Sequence, residues 1–431
     1  RLPSPVQTAL RQLKHRLAGA LQQSGAAAPL LSVVVVATNA ESYLSECLHS
    51  LRSQTLKRIE VLVVDNGSTD GTAIVAQDLT VNDPRFRVIR RPRLGVTVSR
   101  NAGARLAQGR FLAFVDASDT VPRTAYATLI NSLRQTGSDF AAGSVRSVSR
   151  GRRRRPSWTT TSHDLDRMAQ TLSEFPLAML DTSVANKVFR KHFWDTVVGE
   201  FPTSVASASH TMVRATLQAR QFDLLQAVSC VQRERLAAGQ LLPDPLTTSE
   251  LQARLEWLWA TWQQVIAIDD PTIASAWLGG VIDGELGDLA ADAHRADASY
   301  RSQLQQAAQR CLALADDAAW RQVRVDRKLR LWLVANQRWT DLEQLIHQVL
   351  LYGAIPPTVI QHGRVYAVAA HSSGAADAPV RYLELAESQT ALSGCIEHVT
   401  WRDQQLEAHG WAFIRGLDLG SETPELTAEL V

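Results

Sequence analysis

The sequence predicts an α/β protein whose first domain is built on a mostly parallel sheet flanked by helices. The prediction rests on short apolar runs at residues 31–37, 59–64, 86–89 and 110–115, on helix-forming stretches between them, and on polar residues directly after the runs. Nearly continuous apolar strands of this length are typical of parallel sheets that are covered on both faces. Ligands of such sheets bind outside the carboxyl ends of the strands.

Polar and acidic side chains are concentrated at that edge of the predicted sheet. They are Asn39 after the first strand, Asp65 and Asn66 after the second, Arg100 in the helix before the fourth, and Asp116 and Asp119 after the fourth. Because the carboxyl ends of parallel strands share one edge, we expect these side chains to lie close together. This edge is the candidate site.

The residues between 32 and 122 also form an ordered set of motifs, SVVVVATNAESYL, IEVLVVDNGSTDGT, GVTVSRNAG and GRFLAFVDASDTVP. The set resembles the nucleotide-binding half of family-2 inverting glycosyltransferases, which have the Rossmann-like GT-A fold. The resemblance implies that Asp65 and Asn66 contact the nucleotide base and that Arg100 and Asn101 contact the diphosphate. It also places Thr38, Asn39 and Glu41 in the nucleotide-sugar site, with Thr38 where the family often has a stacking aromatic residue.

The metal site implied by the resemblance is altered in this sequence. The family holds Mg²⁺ or Mn²⁺ with an Asp-x-Asp motif, but the frame here reads Asp116-Ala117-Ser118. A neutral hydroxyl is a poorer ligand than a carboxylate for a hard cation. Asp119 is the candidate substitute, acting through a water. We therefore expect a weakened Mg²⁺ or Mn²⁺ site at Asp116 and Asp119.

The catalytic base implied by the resemblance is missing. The family's Glu-Asp pair aligns with Ser207-Ala208, and a general base contributes about 10²–10⁴-fold to rate. His210 has a suitable intrinsic pKa and is the candidate replacement, with a purely structural histidine as the alternative. The segment TSVANKVFRKHFW resembles the family's acceptor-lining stretch, which makes Asn186 and Lys187 further candidates at the reaction centre.

Composition narrows the classes of partner. The 431 residues carry a formal net charge of +2, which gives no case for nucleic-acid binding. The four cysteines are scattered without a zinc spacing, and no apolar run approaches the roughly 20 residues that span a bilayer. We expect a cytoplasmic protein, with the inner face of the cell membrane as the alternative location.

The sequence predicts four regions: an amphipathic helix and linker at 1–29, a GT-A domain at 30–247, a helical extension at 248–370, and the start of an antiparallel, β-sandwich-like domain at 371–431. The first helix favours packing on the protein or on a second subunit, which would make a homo-oligomer; peripheral membrane association is the alternative. The basic block at 150–156 favours a solvated loop, with a rim for a phosphate-rich acceptor as the alternative.

The Trp-rich helical extension favours a packed core over a sugar platform. Its stretch VDRKLRLWLVANQRWTDLEQLIHQVL resembles an extension that follows the glycosyltransferase module of actinobacterial cell-wall polymer enzymes. Some of those enzymes also carry a CDP-glycerol glycerophosphotransferase module.

Three functions remain open. The first is transfer of a sugar, expected to be UDP-linked, to a polyol-phosphate or polysaccharide acceptor such as teichoic acid or capsule. The second is a degenerate glycosyltransferase domain that binds nucleotide or polymer, or acts as a scaffold, within a larger wall-polymer synthase. The third is an interaction protein that oligomerises through its helices.

Overall fold

The computed structural model divides the chain into two compact units, residues 1–242 and 243–431, which are described separately. The structure describes residues 28–81, 83–149, 152–154, 159, 162–203, 207–233, 247–353, 357–368, 377–390, 392–402 and 405–414. The helix predicted at the N-terminus lies outside these residues. The predicted boundaries at 29, 247 and 370 stay predictions.

The first unit is built on a nine-stranded, mostly parallel sheet. Its strands are β1 (Leu31–Ala37), β2 (Ile59–Asn66), β3 (Phe86–Arg91), β4 (Phe111–Asp116), β5 (Phe140–Ser149), β6 (Arg152–Arg154), β7 (Arg167–Gln170), β8 (Lys187–Arg190) and β9 (Phe222–Arg233). The spatial order is β3-β2-β1-β4-β8-β5-β9-β7, with β6 paired to β5.

Helices cover both faces of this sheet. They are α1 (Glu41–Arg52), α2 (Thr72–Thr80), α3 (Val96–Leu106), α4 (Ala125–Thr136), a short turn α5 (Lys191–Phe193) that continues as a π-helix over Trp194–Val198, and α6 (Ser207–Gln218). The first four strands run parallel, so their carboxyl ends meet at one edge. The predicted fold class is confirmed.

The residues of β1 show how the sheet is held between its helices. All seven are buried, as expected for a central strand covered on both faces. Val33 and Val35 belong to a core that includes Leu44 and Leu48 of α1. On the other face, a Cβ added at Gly103 of α3 would lie 2.3 Å from Val34 Cγ1. Glycine therefore lets α3 approach the sheet closely, and the preceding turn of the helix carries Arg100 to the tip of β4.

Antiparallel strands extend the parallel half of the sheet. β8 pairs antiparallel with both β4 and β5, and β9 returns parallel to β5. At the end of β9, Val231 bridges Thr120, just beyond β4. The last residues of β9 therefore lie beside the turn that follows β4.

The second unit begins with a helical array. Its helices are α7 (Thr248–Ile266), α8 (Pro271–Val281), α9 (Gly287–Asp292), α10 (Ala298–Leu314), α11 (Asp317–Gln322), α12 (Val325–Ala335) and α13 (Trp339–Tyr352). Two antiparallel hairpins follow, β10 (Thr358–Gln361) with β11 (Arg364–Ala367), and β12 (Leu392–Arg402) with β13 (Gln405–Ile414), separated by a helical turn, α14 (Val380–Leu383). No helix among the described residues is long and apolar enough to span a membrane.

Two kinds of environment are found among the described tryptophan side chains of this unit. Trp262 and Trp277 are buried and stack with ring centroids 5.7 Å apart. Trp259 is half-buried, with the guanidinium carbon of Arg310 3.9 Å from its ring centroid. The prediction of a packed Trp core therefore describes the first group, whereas the second lies at the surface under arginine.

Candidate functional site

The tip of β2 is organised by Asn66, which contacts two neighbouring elements. Its Nδ2 donates to Thr38 Oγ1 at 3.0 Å, which ties β2 to the tip of β1. Its Oδ1 accepts from the backbone N–H groups of Leu94 and Gly95 at 3.0 and 3.2 Å, just before α3. Gly95 has a φ of 98°, a conformation that glycine adopts without strain. Asn66 thus fixes the start of α3 at the candidate edge.

The loop after β2 is held by three more of the predicted site residues. Asp65 is buried, and its Oδ1 accepts from Ser68 N at 3.0 Å. Asn39 Oδ1 accepts from Thr69 N at 2.9 Å, and Glu41 Oε2 accepts from Gly71 N at 3.0 Å. The structure therefore gathers Thr38, Asn39, Glu41, Asp65 and Asn66 around one loop, where their polar atoms shape the backbone.

The central contact of the edge joins α3 to the tip of β4. Arg100 Nη2 donates to Asp116 Oδ1 at 2.6 Å, and the two side chains are 9% and 45% exposed. A charge-assisted bond of this length is among the stronger polar contacts in proteins. The Asp116 carboxylate reaches solvent, while the guanidinium of Arg100 lies beneath it with its Nε buried and without a hydrogen-bond partner.

Ser118, which replaces the second aspartate of the family's metal motif, and Asp119, the candidate substitute, both face inward. Ser118 is buried and its Oγ donates to Asp119 Oδ1 at 3.3 Å, while Arg233 N donates to the same oxygen at 3.2 Å. The other carboxylate oxygen, Asp119 Oδ2, accepts from Cys230 Sγ at 3.9 Å. Burial, helped by the Asp116 carboxylate, raises the pKa of Asp119 to about 7.

These contacts do not fit a divalent cation bound by Asp116 and Asp119 together. Asp116 already shares one oxygen with a guanidinium, and the Asp119 carboxylate is buried and accepts hydrogen bonds from within the protein. Among the described residues, no group of three or more His, Cys, Asp or Glu side chains could hold a metal ion. The predicted Mg²⁺ or Mn²⁺ site therefore has one accessible carboxylate.

Arg233 is a residue of this edge that sequence reasoning missed. It ends β9, and its Nε donates to Ser118 O at 2.8 Å, while its Nη1 pairs with the Glu46 carboxylate of α1. Its Nη2 is buried without a hydrogen-bond partner. The ordered motifs end near residue 122, and it is the folded chain, through contacts such as the Thr120–Val231 bridge, that brings β9 to the tip of β4.

Asn101 makes a backbone clamp. Its Nδ2 donates to Phe201 O and its Oδ1 accepts from Phe201 N, both at 2.9 Å, so both amide atoms are used. The clamped segment supports α6, because Arg214 of that helix donates to Glu200 O at 3.0 Å. His210 lies one turn earlier and is half-buried; burial and the Arg214 charge lower its pKa, so the ring is neutral at pH 7.

Asn186 and Lys187 form a buried polar cluster with Asp181 and His163. Lys187 Nζ lies 2.7 Å from Asp181 Oδ1 and donates to three further oxygens, and Asn186 Nδ2 donates to Asp181 Oδ2 at 2.8 Å. Burial raises the pKa of Asp181, but the Lys187 ammonium and the His163 ring outweigh it and hold that pKa at about 2. Burial lowers the pKa of Lys187. Asn186 and Lys187 thus have their polar atoms bound within the protein, away from the exposed Asp116.

Comparison with known proteins agrees with this arrangement. Residues 32–195 match glycosyl transferase family 2. EpsJ of Bacillus subtilis strain 168, an uncharacterized glycosyltransferase, is 35% identical over 112 residues, 26% of this chain and 33% of EpsJ. The glycosyltransferase GlyA of Streptococcus pneumoniae serotype 4 is 33% identical over 113 residues, 26% of this chain and 16% of GlyA. The chain spans about a third or less of the length of the curated relatives it matches.

Solved structures extend the similarity in fold. The crystal structure of S. aureus TarS 1-349 in complex with UDP-GlcNAc superposes with a TM-score of 0.58 at 18% identity, covering 78% of this chain and 96% of that one. At this identity the match shows a shared fold, a mostly parallel sheet flanked by helices and followed by a helical region. Residues 32–195 are thus similar in sequence to glycosyl transferase family 2, and the unit that contains them has the GT-A fold.

Proposed function

We propose that the first unit binds a nucleotide-sugar, with a UDP-sugar as the expected donor, and serves transfer of the sugar to a cell-surface polymer. The observation that carries the proposal is the Arg100–Asp116 pair at the carboxyl edge of the sheet, with Asp65 and Asn66 at the neighbouring strand tip. TarS has been crystallised with UDP and with UDP-GlcNAc, which supports UDP as the first nucleotide to test.

In this proposal, the residues divide into those that meet the donor and those that shape the edge. Asp116 is the exposed carboxylate, suited to accept hydrogen bonds from donor hydroxyl groups, and Arg100 beneath it orients that carboxylate and supplies positive charge for the diphosphate. Asn66, Asn39 and Glu41 act by holding the backbone around the nucleotide. Asn101 acts through its clamp on Phe201 instead of through the diphosphate.

The proposed class of acceptor rests on the names of similar proteins more than on the geometry of the site. Chondroitin synthase of Pasteurella multocida and hyaluronan synthase of Pasteurella multocida are each 34% identical to this chain over 91 residues. Their names connect the matched segment with polymer synthesis. A polyol-phosphate or polysaccharide acceptor, such as teichoic acid or capsule, is therefore the proposed class, acting within a larger wall-polymer synthase.

In a second candidate function, the domain binds nucleotide or polymer but transfers no sugar. Helix α6 begins at the positions where the family resemblance implies a catalytic carboxylate pair, and its sequence SASHTMVRATLQ contains no Asp or Glu. A missing general base would cost about 10²–10⁴-fold in rate. This observation favours a degenerate domain that binds nucleotide or polymer as a module of a larger enzyme, unless His210 takes the proton.

Two measurements separate these candidates. Calorimetric titration with UDP tests binding, and incubation with UDP-sugars and polyol-phosphate acceptors tests transfer. Transfer that is lost in His210→Gln, with UDP affinity retained, would support an active enzyme with a histidine base. Binding without transfer, together with activity gained in a Ser207→Glu, Ala208→Asp variant, would support the degenerate domain. If UDP does not bind at all, a UDP-sugar transferase and a degenerate domain that binds UDP are both wrong.

The proposed association with a second subunit or with a membrane surface depends on residues 1–25. Light scattering of the full chain, and flotation with anionic vesicles, test these two predictions separately. A monomer that stays with the soluble fraction would contradict both.

A further inference from the structure

The tip of β4 presents a single carboxylate to solvent. In the segment Asp116-Ala117-Ser118-Asp119, the Ser118 hydroxyl and the Asp119 carboxylate bond to each other inside the protein. Asp119 also binds the backbone N–H of Arg233. Mg²⁺ in proteins is usually held by one or two carboxylates plus substrate phosphates. Here the one exposed carboxylate has an oxygen bonded to Arg100, so little of a cation's coordination shell is supplied by the protein.

Two guanidinium groups lie at the same tip. Arg100 comes from α3, and Arg233 comes from the end of β9. Each has a buried nitrogen without a hydrogen-bond partner, Arg100 Nε and Arg233 Nη2. Both guanidinium groups therefore keep hydrogen-bonding capacity that the protein itself does not use at this tip.

Both arginines bind the same turn, Arg100 through the Asp116 carboxylate and Arg233 through the backbone oxygen of Ser118. Asp119 N donates to Asp116 O at 2.9 Å, which closes the turn, and Arg233 Nε donates to Ser118 O within it. Glu46 of α1 pairs with the far side of the Arg233 guanidinium, and the Tyr43 ring centroid lies 5.9 Å from its central carbon. Ser118, Glu46 and Tyr43 thus hold the Arg233 side chain at the turn after β4. The side chain therefore has little conformational entropy to lose when a ligand binds.

We propose that the first unit neutralises the diphosphate of its nucleotide with Arg100 and Arg233, and that nucleotide binding needs no divalent cation. Guanidinium groups attract phosphate oxygens by their positive charge, and they keep that charge at any working pH. The inference rests on the proposed function, since it concerns the same nucleotide. It adds Arg233 to the binding residues and replaces the weakened metal site by protein cations.

The test is calorimetric titration of UDP into the full chain, first in EDTA and then in excess MnCl₂. We expect Kd values that agree within about twofold in the two buffers. Arg233→Gln should raise Kd roughly ten- to hundredfold in EDTA, because it removes a charged hydrogen-bond donor. Arg233→Lys, which keeps the charge and loses the fork, should fall between wild type and Arg233→Gln.

The matched control is Arg134→Gln. Arg134 is exposed in the last turn of α4, a helix that leaves the carboxyl edge and runs back toward the start of β5, so its charge lies at the opposite edge of the sheet. Its loss should leave Kd unchanged. Circular dichroism of each variant establishes that it is folded, and the comparison of buffers on the wild-type chain stands even if Arg233→Gln does not fold.

The outcomes distinguish the two levels of the proposal. Equal UDP affinity in EDTA and MnCl₂, with the loss confined to the Arg233 variants, supports the inference. UDP binding that appears only with MnCl₂, or an Arg233→Gln variant that binds as well as wild type, overturns the inference and leaves the proposed function standing. Absence of UDP binding in both buffers overturns the proposed function, and the inference with it.

Discussion

Replacing Asp119 by asparagine should change how the stability of the first unit depends on pH. The carboxyl is buried, close to Asp116, and next to the Cys230 thiol, while the backbone N–H of Arg233 and the Ser118 hydroxyl donate to it. Burial is the largest cause of its raised pKa, which is about 7 in place of 3.8. Asparagine retains a carbonyl oxygen for both donors and cannot ionise.

The sign follows from proton linkage. Between pH 3.8 and about 7, the folded protein holds a proton on Asp119 that the unfolded chain has released, so the free energy of unfolding falls as pH rises. Above pH 7 both states are ionised and the effect levels off. Since one pKa unit is worth about 1.36 kcal/mol, the whole effect is ~4 kcal/mol, of which roughly 2.5 kcal/mol lies between pH 5 and 7.5.

Urea unfolding followed by circular dichroism at pH 5, 6 and 7.5 measures this difference. The wild type should lose stability relative to Asp119→Asn as pH rises, with the gap widening by roughly 2.5 kcal/mol over that interval. Asp78→Asn, at an exposed position of α2, is the control and should follow the wild type. If Asp119→Asn and wild type change in parallel with pH, the account of a buried, partly protonated carboxyl is wrong.

Three further substitutions test the contacts that position the site, each by urea unfolding. Gly103→Ala should lower stability by about 1–3 kcal/mol through the clash with Val34, a loss that exceeds the ~1 kcal/mol gain in helix propensity; equal or higher stability would contradict the close approach. Asn101→Ala should cost roughly 2–4 kcal/mol by leaving both backbone groups of Phe201 unpaired, whereas a loss under ~1 kcal/mol would argue against the clamp. Lys187→Met should cost about 3–5 kcal/mol because it leaves a buried carboxylate without its cation, and a neutral result would show that this carboxylate takes up a proton.

The parallel half of the sheet was predictable because its strands are apolar on both faces. The run at 31–37 matches β1, and the run at 59–64 lies within β2. The four-residue strands β7 and β8 were not predicted, since so short a segment has too little periodicity to distinguish it from a loop. Within the predicted helical extension, α8 is followed by a π-helical segment and α9, a change of hydrogen bonding that leaves the apolar pattern intact.

The candidate site was predictable in its location and less so in its contacts. Order along the chain places Asp65, Arg100 and Asp116 at one edge, and the structure brings Arg100 and Asp116 into direct contact. Sequence alone could not tell that Asp119 turns inward, because its neighbour Arg233 is more than a hundred residues away. The burial of Lys187 could not be predicted either, because it depends on the pairing of β8 with β5, which are far apart in sequence.

The adjacency of Arg100 and Asn101 in α3 has a mechanical consequence. Arg100 binds Asp116 at the tip of β4, and Asn101 binds the backbone of Phe201. One turn of α3 is therefore held by two separate contacts. Any rotation of α3 about its axis would strain both contacts together. A movement of the β4 tip when nucleotide binds would therefore be transmitted through α3 to Phe201, in the segment that supports α6. The β4 tip and this segment would then move together.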